Sequence, residues 1–250
     1  MSHKPKLIAK NEGLVAKNLR WSVSKKPIIR NVSLKVERGT TVGLLGSNGA
    51  GKTSSFYALI GLINPDGGEI TLDNKDITSL PMYKRARLGI SYLPQQPSAF
   101  RYLSVEDNIL AILETKKYPS DQKQSILEDL LSEFSLSHLR RAMPHTLSGG
   151  ERRRTEIARC LSSDPKFILM DEPTTGIDPR GIDDIKNIIR QLKKKNISVV
   201  ISDHNVREVL DICDFSYVMH AGEVVASGNS SEILESREAR TFYLGEAFKA

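Results

Sequence analysis

The string GSNGAGKT, from Gly46 to Thr53, has the G-x-x-x-x-G-K-T spacing that wraps a backbone around phosphate groups. Gly46, Gly49 and Gly51 let the chain turn at positive φ and bring N–H groups up to an anion with no Cβ between. Ser47, Asn48 and Ala50 complete the loop, and Lys52 supplies an ammonium for the terminal phosphates. Thr53, followed by Ser54 at the start of a helix, supplies a hydroxyl suited to Mg²⁺. The pattern arises by chance about 0.01 times in a chain of this composition. Alone it identifies binding of a nucleoside triphosphate and no particular reaction.

The string FILMDEP, from Phe167 to Pro173, ends an apolar run in two carboxylates. Ligands of open α/β sheets bind where strand carboxyl ends meet, which places Asp171 and Glu172 beside the phosphates. There Asp171 helps hold Mg²⁺ through water, and Glu172 polarises the attacking water. Gln95 follows a strand over 89–93 and Pro94; its amide suits Mg²⁺ or a water near the γ-phosphate. His204 follows the strand Ile197–Ile201 and reads as a hydrogen-bond donor to the γ-phosphate. Without the other motifs, each would be an ordinary loop residue. A second glycine-rich string, Leu147-Ser148-Gly149-Gly150-Glu151, precedes a helix over 152–161 and forms another anion-binding helix end. Two such ends but one phosphate loop imply that two copies of the chain share each nucleotide.

Positioning these groups requires parallel strands that end side by side. Apolar and alternating runs give strands at Leu14–Val23, Val32–Val36, Glu69–Leu72, Gly89–Leu93, Phe167–Met170, Ile197–Ile201 and Phe215–Met219. Thr41–Leu45 is a buried strand leading into the phosphate loop, and Ser54–Leu62 is the helix that follows it. Residues 103–139 carry helical periodicity, with Ser104 as an N-cap and a break at Pro119-Ser120-Asp121. Helices over Ile182–Leu192 and Asn205–Ile212 restore the strand–helix alternation, and Ala221-Gly222 makes a final turn between strands. The expectation is an α/β parallel-sheet core with an inserted helical block.

The 250 residues are 39% hydrophobic and 26% charged, which suits one compact globular unit with a sizeable core. No run approaches the ~18 apolar residues of a membrane span. The basic start Met1–Lys6 lacks the apolar segment of a secretory signal. Cys160 and Cys213 lack metal-ligand spacing and read as reduced thiols. A net charge of +6 fits nucleic acid, an anionic membrane face or solubility alone. Its densest runs, Arg152–Arg154 and Lys193–Lys195, fall in helices as solvated faces.

In their order, GSNGAGKT, Gln95, LSGGE, FILMDEP and His204 resemble the motifs of ABC-transporter ATPase subunits over nearly the full chain. The resemblance implies a P-loop ABC ATPase domain of three parts. These are a β-rich N-terminal subdomain and a RecA-like parallel-sheet core over 14–96 and 161–236, and an inserted α-helical subdomain over 97–160. A C-terminal extension follows over 237–250. It further implies a head-to-tail homodimer with ATP and Mg²⁺ between one copy's phosphate loop and the other's Leu147–Glu151. Glu172 is then the general base, with Gln95 and His204 beside it, Mg²⁺ falls to Thr53, Gln95 and Asp171, and Asp178 crosses the dimer interface.

YLPQQ, FRYLSVEDN, LSGGERRR, SDHNVRE and YLGEAF are similar to strings of the lipopolysaccharide-export branch of Gram-negative bacteria. That likeness implies two inner-membrane subunits whose coupling helices enter a groove at Phe100 and Arg101. It also implies a cytoplasmic position on the inner-membrane face, with no direct cargo contact and no nucleic acid. Branched-chain amino-acid importers share the core and a YLG-type tail and are the nearest alternative. Nucleic-acid-associated ABC ATPases are a further one, but the long coiled coils or second cassette they use are missing. Three departures stand out. Val23 occupies the place of an adenine-stacking aromatic, with Trp21 as a substitute two residues earlier. Ser47 replaces a usual proline, and Thr174-Thr175 a usual phenylalanine–alanine pair.

Overall fold

The computed structural model describes residues 13–245, so Met1–Lys6 and the end of the tail lie outside the described residues. The strands are β1 Leu14–Val23, β2 Lys26–Val36, β3 Thr41–Gly46, β4 Gly67–Leu72, β5 Lys75–Asp76, β6 Ile90–Leu93, β7 Phe167–Asp171, β8 Ser198–Ser202, β9 Phe215–His220 and β10 Glu223–Gly228. The helices are α1 Lys52–Ile60, α2 Met82–Arg87, α3 Val105–Leu113, α4 Ser120–Glu133, α5 Gly149–Leu161, α6 Pro179–Lys194, α7 Val206–Ile212 and α8 Ser230–Glu235. Short turns at Arg237–Ala239 and Arg240–Leu244 close the described chain.

One sheet runs in the order β5-β4-β1-β2-β10-β9-β3-β8-β7-β6. Strands β9, β3, β8, β7 and β6 are mutually parallel, so β3, β7 and β8 end side by side. Strands β5, β4, β1 and β2 form an antiparallel wing. The wing joins the parallel strands through one β2–β10 pairing, Glu223 opposite Asn31, where Arg30 and Asn31 both donate to the Gly222 carbonyl. Side chains alternate across a strand, so each central strand feeds two cores. Phe167, Leu169 and Val200 pack with α1 and the wing, whereas Ile168, Met170, Val199 and Ile201 pack with α3, α5 and α6. Burial on both faces explains why these strands read as unbroken apolar runs.

Several elements differ from the sequence expectation. Strand β2 starts at Lys26, well before Val32, because a tight turn at Ser24 and Lys25, both at positive φ, returns the chain directly onto β1. Gly89 stands outside β6, at φ 97°, and its carbonyl accepts from Lys166 and Phe167. Helix α5 begins at Gly149, three residues early, since Ser148 and Glu151 form a reciprocal capping box that offsets two glycines in the first turn. Strand β5 and helices α2 and α8 are additions. Helix α2 is fixed by Arg85, which is fully buried and donates to the carbonyls of Ala58, Leu59, Thr78 and Leu80, so it caps the end of α1.

Candidate active site

Buried β3 delivers the chain into the loop Gly46–Gly51, and α1 starts at Lys52. Gly46 must be glycine: it sits at φ 151°, and a Cβ there would lie 2.4 Å from the Met219 carbonyl on β9. Ala50 closes a turn onto Ser47 and accepts from Gly222, which ties the loop to the β9–β10 turn. The Lys52 ammonium folds back over the loop and donates to the carbonyls of Gly46, at 2.7 Å, and Ser47, at 3.1 Å. Burial pushes its pKa down, opposed by the nearby carboxylates of Glu172, Asp171 and Asp203. Phosphate oxygens would give that ammonium a full counter-charge in place of two neutral carbonyls.

A cavity of about 800 Å³ opens at this loop. Asn48, Gly49, Gly51, Lys52, Thr53 and Ser54 form one wall, and Gln95, Glu172 and His204 form another. The phosphate loop, Gln95, Glu172 and His204 therefore converge on one space. Glu172 sits just past β7 at φ 43°, held there by its backbone N–H, which donates to the Ser202 carbonyl and hydroxyl. Its Oε2 accepts from Gln95 Nε2 at 2.7 Å and from the Thr175 hydroxyl at 3.0 Å. His204 Nδ1 lies 3.6 Å from the same oxygen, and the imidazole is largely exposed. Asp171 is buried deeper, with Ser202 donating to one carboxylate oxygen and Tyr92 to the other. A carboxylate at the cavity edge beside a histidine and an amide can orient and deprotonate water.

For Mg²⁺ the cavity wall offers oxygen donors, the Thr53 hydroxyl and the Gln95 side-chain carbonyl; Asp171 is not among the walls, and both its carboxylate oxygens accept hydrogen bonds, from Ser202 and Tyr92. That set fits a hard cation that keeps several waters and takes other ligands from phosphates.

Trp21 and Val23 are not among the cavity's walls; Trp21 packs on the wing's apolar cluster. On that side the cavity is faced by Lys26, Pro27, Ile28 and Arg30 of β2 and by Ala221. Lys26, Ile28 and Arg30 share one strand face, an alternation visible in the sequence once β2 is extended to Lys26.

The residues Leu147–Glu151 do not line this cavity either. Ser148 caps α5, and Glu151 is drawn into that cap, which lowers its pKa. Asp178 caps α6 through the amides of Arg180 and Gly181 and is exposed. Phe100 is exposed under the Arg159 guanidinium, 4.7 Å from its ring centroid, and Arg101 is exposed next to it. The reading of Arg152–Arg154 as a solvated face fails: none of the three is exposed, and Arg153 faces the interior, where it ties the site's segments together. Buried on α5, it donates to the carbonyls of Pro94, Asp171 and Pro173 and to Glu156, joining the segments that carry Gln95 and Glu172.

These features define a nucleotide-binding cassette, and comparison with known proteins agrees. Residues 29–175 match the ABC transporter family. A Rhizobium meliloti protein described as an uncharacterized ABC transporter ATP-binding protein is 50% identical over 94% of this chain and 87% of its own length. The lipopolysaccharide export system ATP-binding protein LptB of Acidithiobacillus ferridurans is 49% identical over 96% of this chain and 99% of its own. The ADP conformation of MJ1267, an ATP-binding cassette of an ABC transporter, superposes with a TM-score of 0.84 at 29% identity, covering 94% of this chain and 99% of that one. The chain belongs to the ATP-binding subunits of ABC transporters and is an ATPase. No helix among the described residues is long and apolar enough to cross a membrane.

Proposed function

We propose that this chain is the ATP-hydrolysing motor of a lipopolysaccharide exporter, acting as a homodimer on two inner-membrane subunits from their cytoplasmic face. The observation that carries the cargo is the 49% identity to a lipopolysaccharide-export ATP-binding protein along almost that protein's whole length. The dimer is supported by the site: Leu147–Glu151 forms a capped helix end that its own nucleotide cavity does not use. A second copy, turned head to tail, brings that end to the γ-phosphate, with Asp178 at the seam.

In this reading the loop Gly46–Ser54 binds the triphosphate, and Lys52 exchanges its two carbonyl partners for phosphate oxygens. Thr53, Gln95 and Asp171 hold Mg²⁺, which neutralises charge on the phosphates when bound. Glu172 takes the proton of the attacking water, oriented by Gln95 and Thr175. His204 donates to the γ-phosphate side of the same cavity. Residues 14–96 and 161–236 form the core, 97–160 the helical unit, and 237–250 an extension. Phe100 and Arg101 receive a coupling helix.

Glu172→Gln tests the chemistry. Turnover should fall roughly 10²–10⁴-fold while ATP stays bound, trapping a dimer resolved by size-exclusion chromatography. Unchanged hydrolysis, or a strictly monomeric ATP-loaded variant even with its membrane subunits, would refute the reading. Capturing the detergent-solubilised complex tests the cargo: co-purification with an amino-acid-binding transport system in place of lipid-export subunits would reassign it.

A further inference from the structure

The last described turns cross the carboxyl ends of the central strands, next to the nucleotide cavity. Ser236 caps them through the Ala239 amide, Ala239 is fully buried, and Arg240 donates to the Leu234 carbonyl. Phe242 stacks on His220 at the end of β9, with ring centroids 4.7 Å apart. The next residue, Tyr243, directs its hydroxyl at the backbone that carries His204. The hydroxyl lies 3.2 Å from the His204 carbonyl and 3.4 Å from that of Asp203. Asp203 is itself buried and braced by Thr174, at 2.5 Å, and by the Asn205 amide, at 3.0 Å. The Asp203–His204 segment is thus held from the Thr174 side and from the last described turns, while the largely exposed imidazole lines the cavity with Nδ1 at 3.5 Å from Asp203 Oδ1 and 3.6 Å from Glu172 Oε2.

We propose that Tyr243 is a positioning residue for hydrolysis, its hydroxyl fixing the Asp203–His204 peptide so that the imidazole stays beside Glu172 and the γ-phosphate. The inference rests on the reading of His204 given above. A phenol is suited to the task because its ordinary pKa, about 10, already keeps the hydroxyl protonated, and burial raises it further, to about 12, against a smaller opposing contribution from the Gly46 backbone. It therefore remains a donor across the neutral range. An exposed imidazole on a loop has several rotamers and backbone states available; tethering its own carbonyl removes backbone freedom without blocking the ring. The C-terminal segment thereby becomes part of the catalytic geometry.

Tyr243→Phe in the full chain keeps the ring and removes the hydroxyl. ATP turnover should fall roughly three- to tenfold, the worth of one hydrogen bond, with KM for ATP within about twofold. Amide hydrogen exchange over 203–206 should accelerate. In a His204→Ala background the same change should cost nothing further, because the tether then positions no imidazole. Full turnover in Tyr243→Phe, a change in KM alone, an equal loss in both backgrounds, or unaltered exchange over 203–206 would each overturn the inference. If His204→Ala hydrolyses at the normal rate, the reading of His204 falls first and this inference with it. A slow His204→Ala beside a fast Tyr243→Phe removes only the tether.

Discussion

Replacing Arg153 by methionine removes a buried guanidinium whose acceptors are Pro94 O at 2.9 Å, Pro173 O at 3.2 Å, Asp171 O at 3.3 Å and Glu156 Oε2 at 3.1 Å. Glu156 is 2% exposed, so the substitution strands a carboxylate in the interior. Breaking a buried ion pair in this way costs about 3–5 kcal/mol. Glu156 keeps the amides of Ser98 and Ala99, at 2.6 and 3.1 Å, which puts the loss near the lower end, about 3 kcal/mol. For a chain of this length, 1 kcal/mol shifts the unfolding midpoint by about 2–4 °C, so a drop of about 6–12 °C is expected. Thermal unfolding without nucleotide measures it. Replacing both partners by methionine removes the stranded charge, so the double variant should recover at least half of the drop. A single-variant shift below about 2 °C, or a double variant in which the two losses simply add, would refute the account. Turnover should fall as well, because the same side chain fixes the backbone before Gln95 and around Glu172.

Gly222→Ala places a Cβ 2.5 Å from the Ile28 carbonyl at φ 83°, so stability should fall by at least about 1–2 kcal/mol; binding of an ATP analogue should weaken too, because Gly222 supports the Ala50 carbonyl. Arg30→Ala should raise KM for ATP roughly three- to thirtyfold by removing a guanidinium that faces the cavity, whereas Trp21→Phe should leave KM unchanged; the reverse result would assign the base contact to Trp21. Burial pushes the Cys160 thiol up to about 11 and raises that of Cys213 as well. Aromatic disulfide reagents at pH 8 should therefore modify Cys160 roughly a hundredfold more slowly than a free thiol, and fast labelling of the native chain would contradict that environment.

Local strings made the phosphate site legible, because each carries its own geometry. A glycine loop between a buried strand and a helix can serve little else at that spacing, and an apolar strand ending in Asp171-Glu172 points its carboxylates at the sheet's open edge. The central strands were readable for the same reason: burial on both faces leaves an unbroken apolar run. Strand β2 was half hidden, since Lys26 and Arg30 line a cavity and so look like solvent-facing loop residues. Helix α2 was hidden altogether, because its anchor is a single buried arginine that donates both to nearby carbonyls and to those at the end of α1, 26 and 27 residues away.

The sequence by itself marked the candidates for the chemistry: Lys52, Thr53, Asp171 and Glu172 stand out by neighbours a few residues away, and Gln95 and His204 only by their place in the order of the other motifs. Only the tertiary structure decided what holds those groups and which residues line the remainder of the cavity. Arg153 meets Pro94 across 59 residues, and Tyr243 meets His204 across 39. Such contacts depend on the order in which strands are laid into the sheet. No local periodicity encodes that order, because it is set by which apolar faces can be covered together.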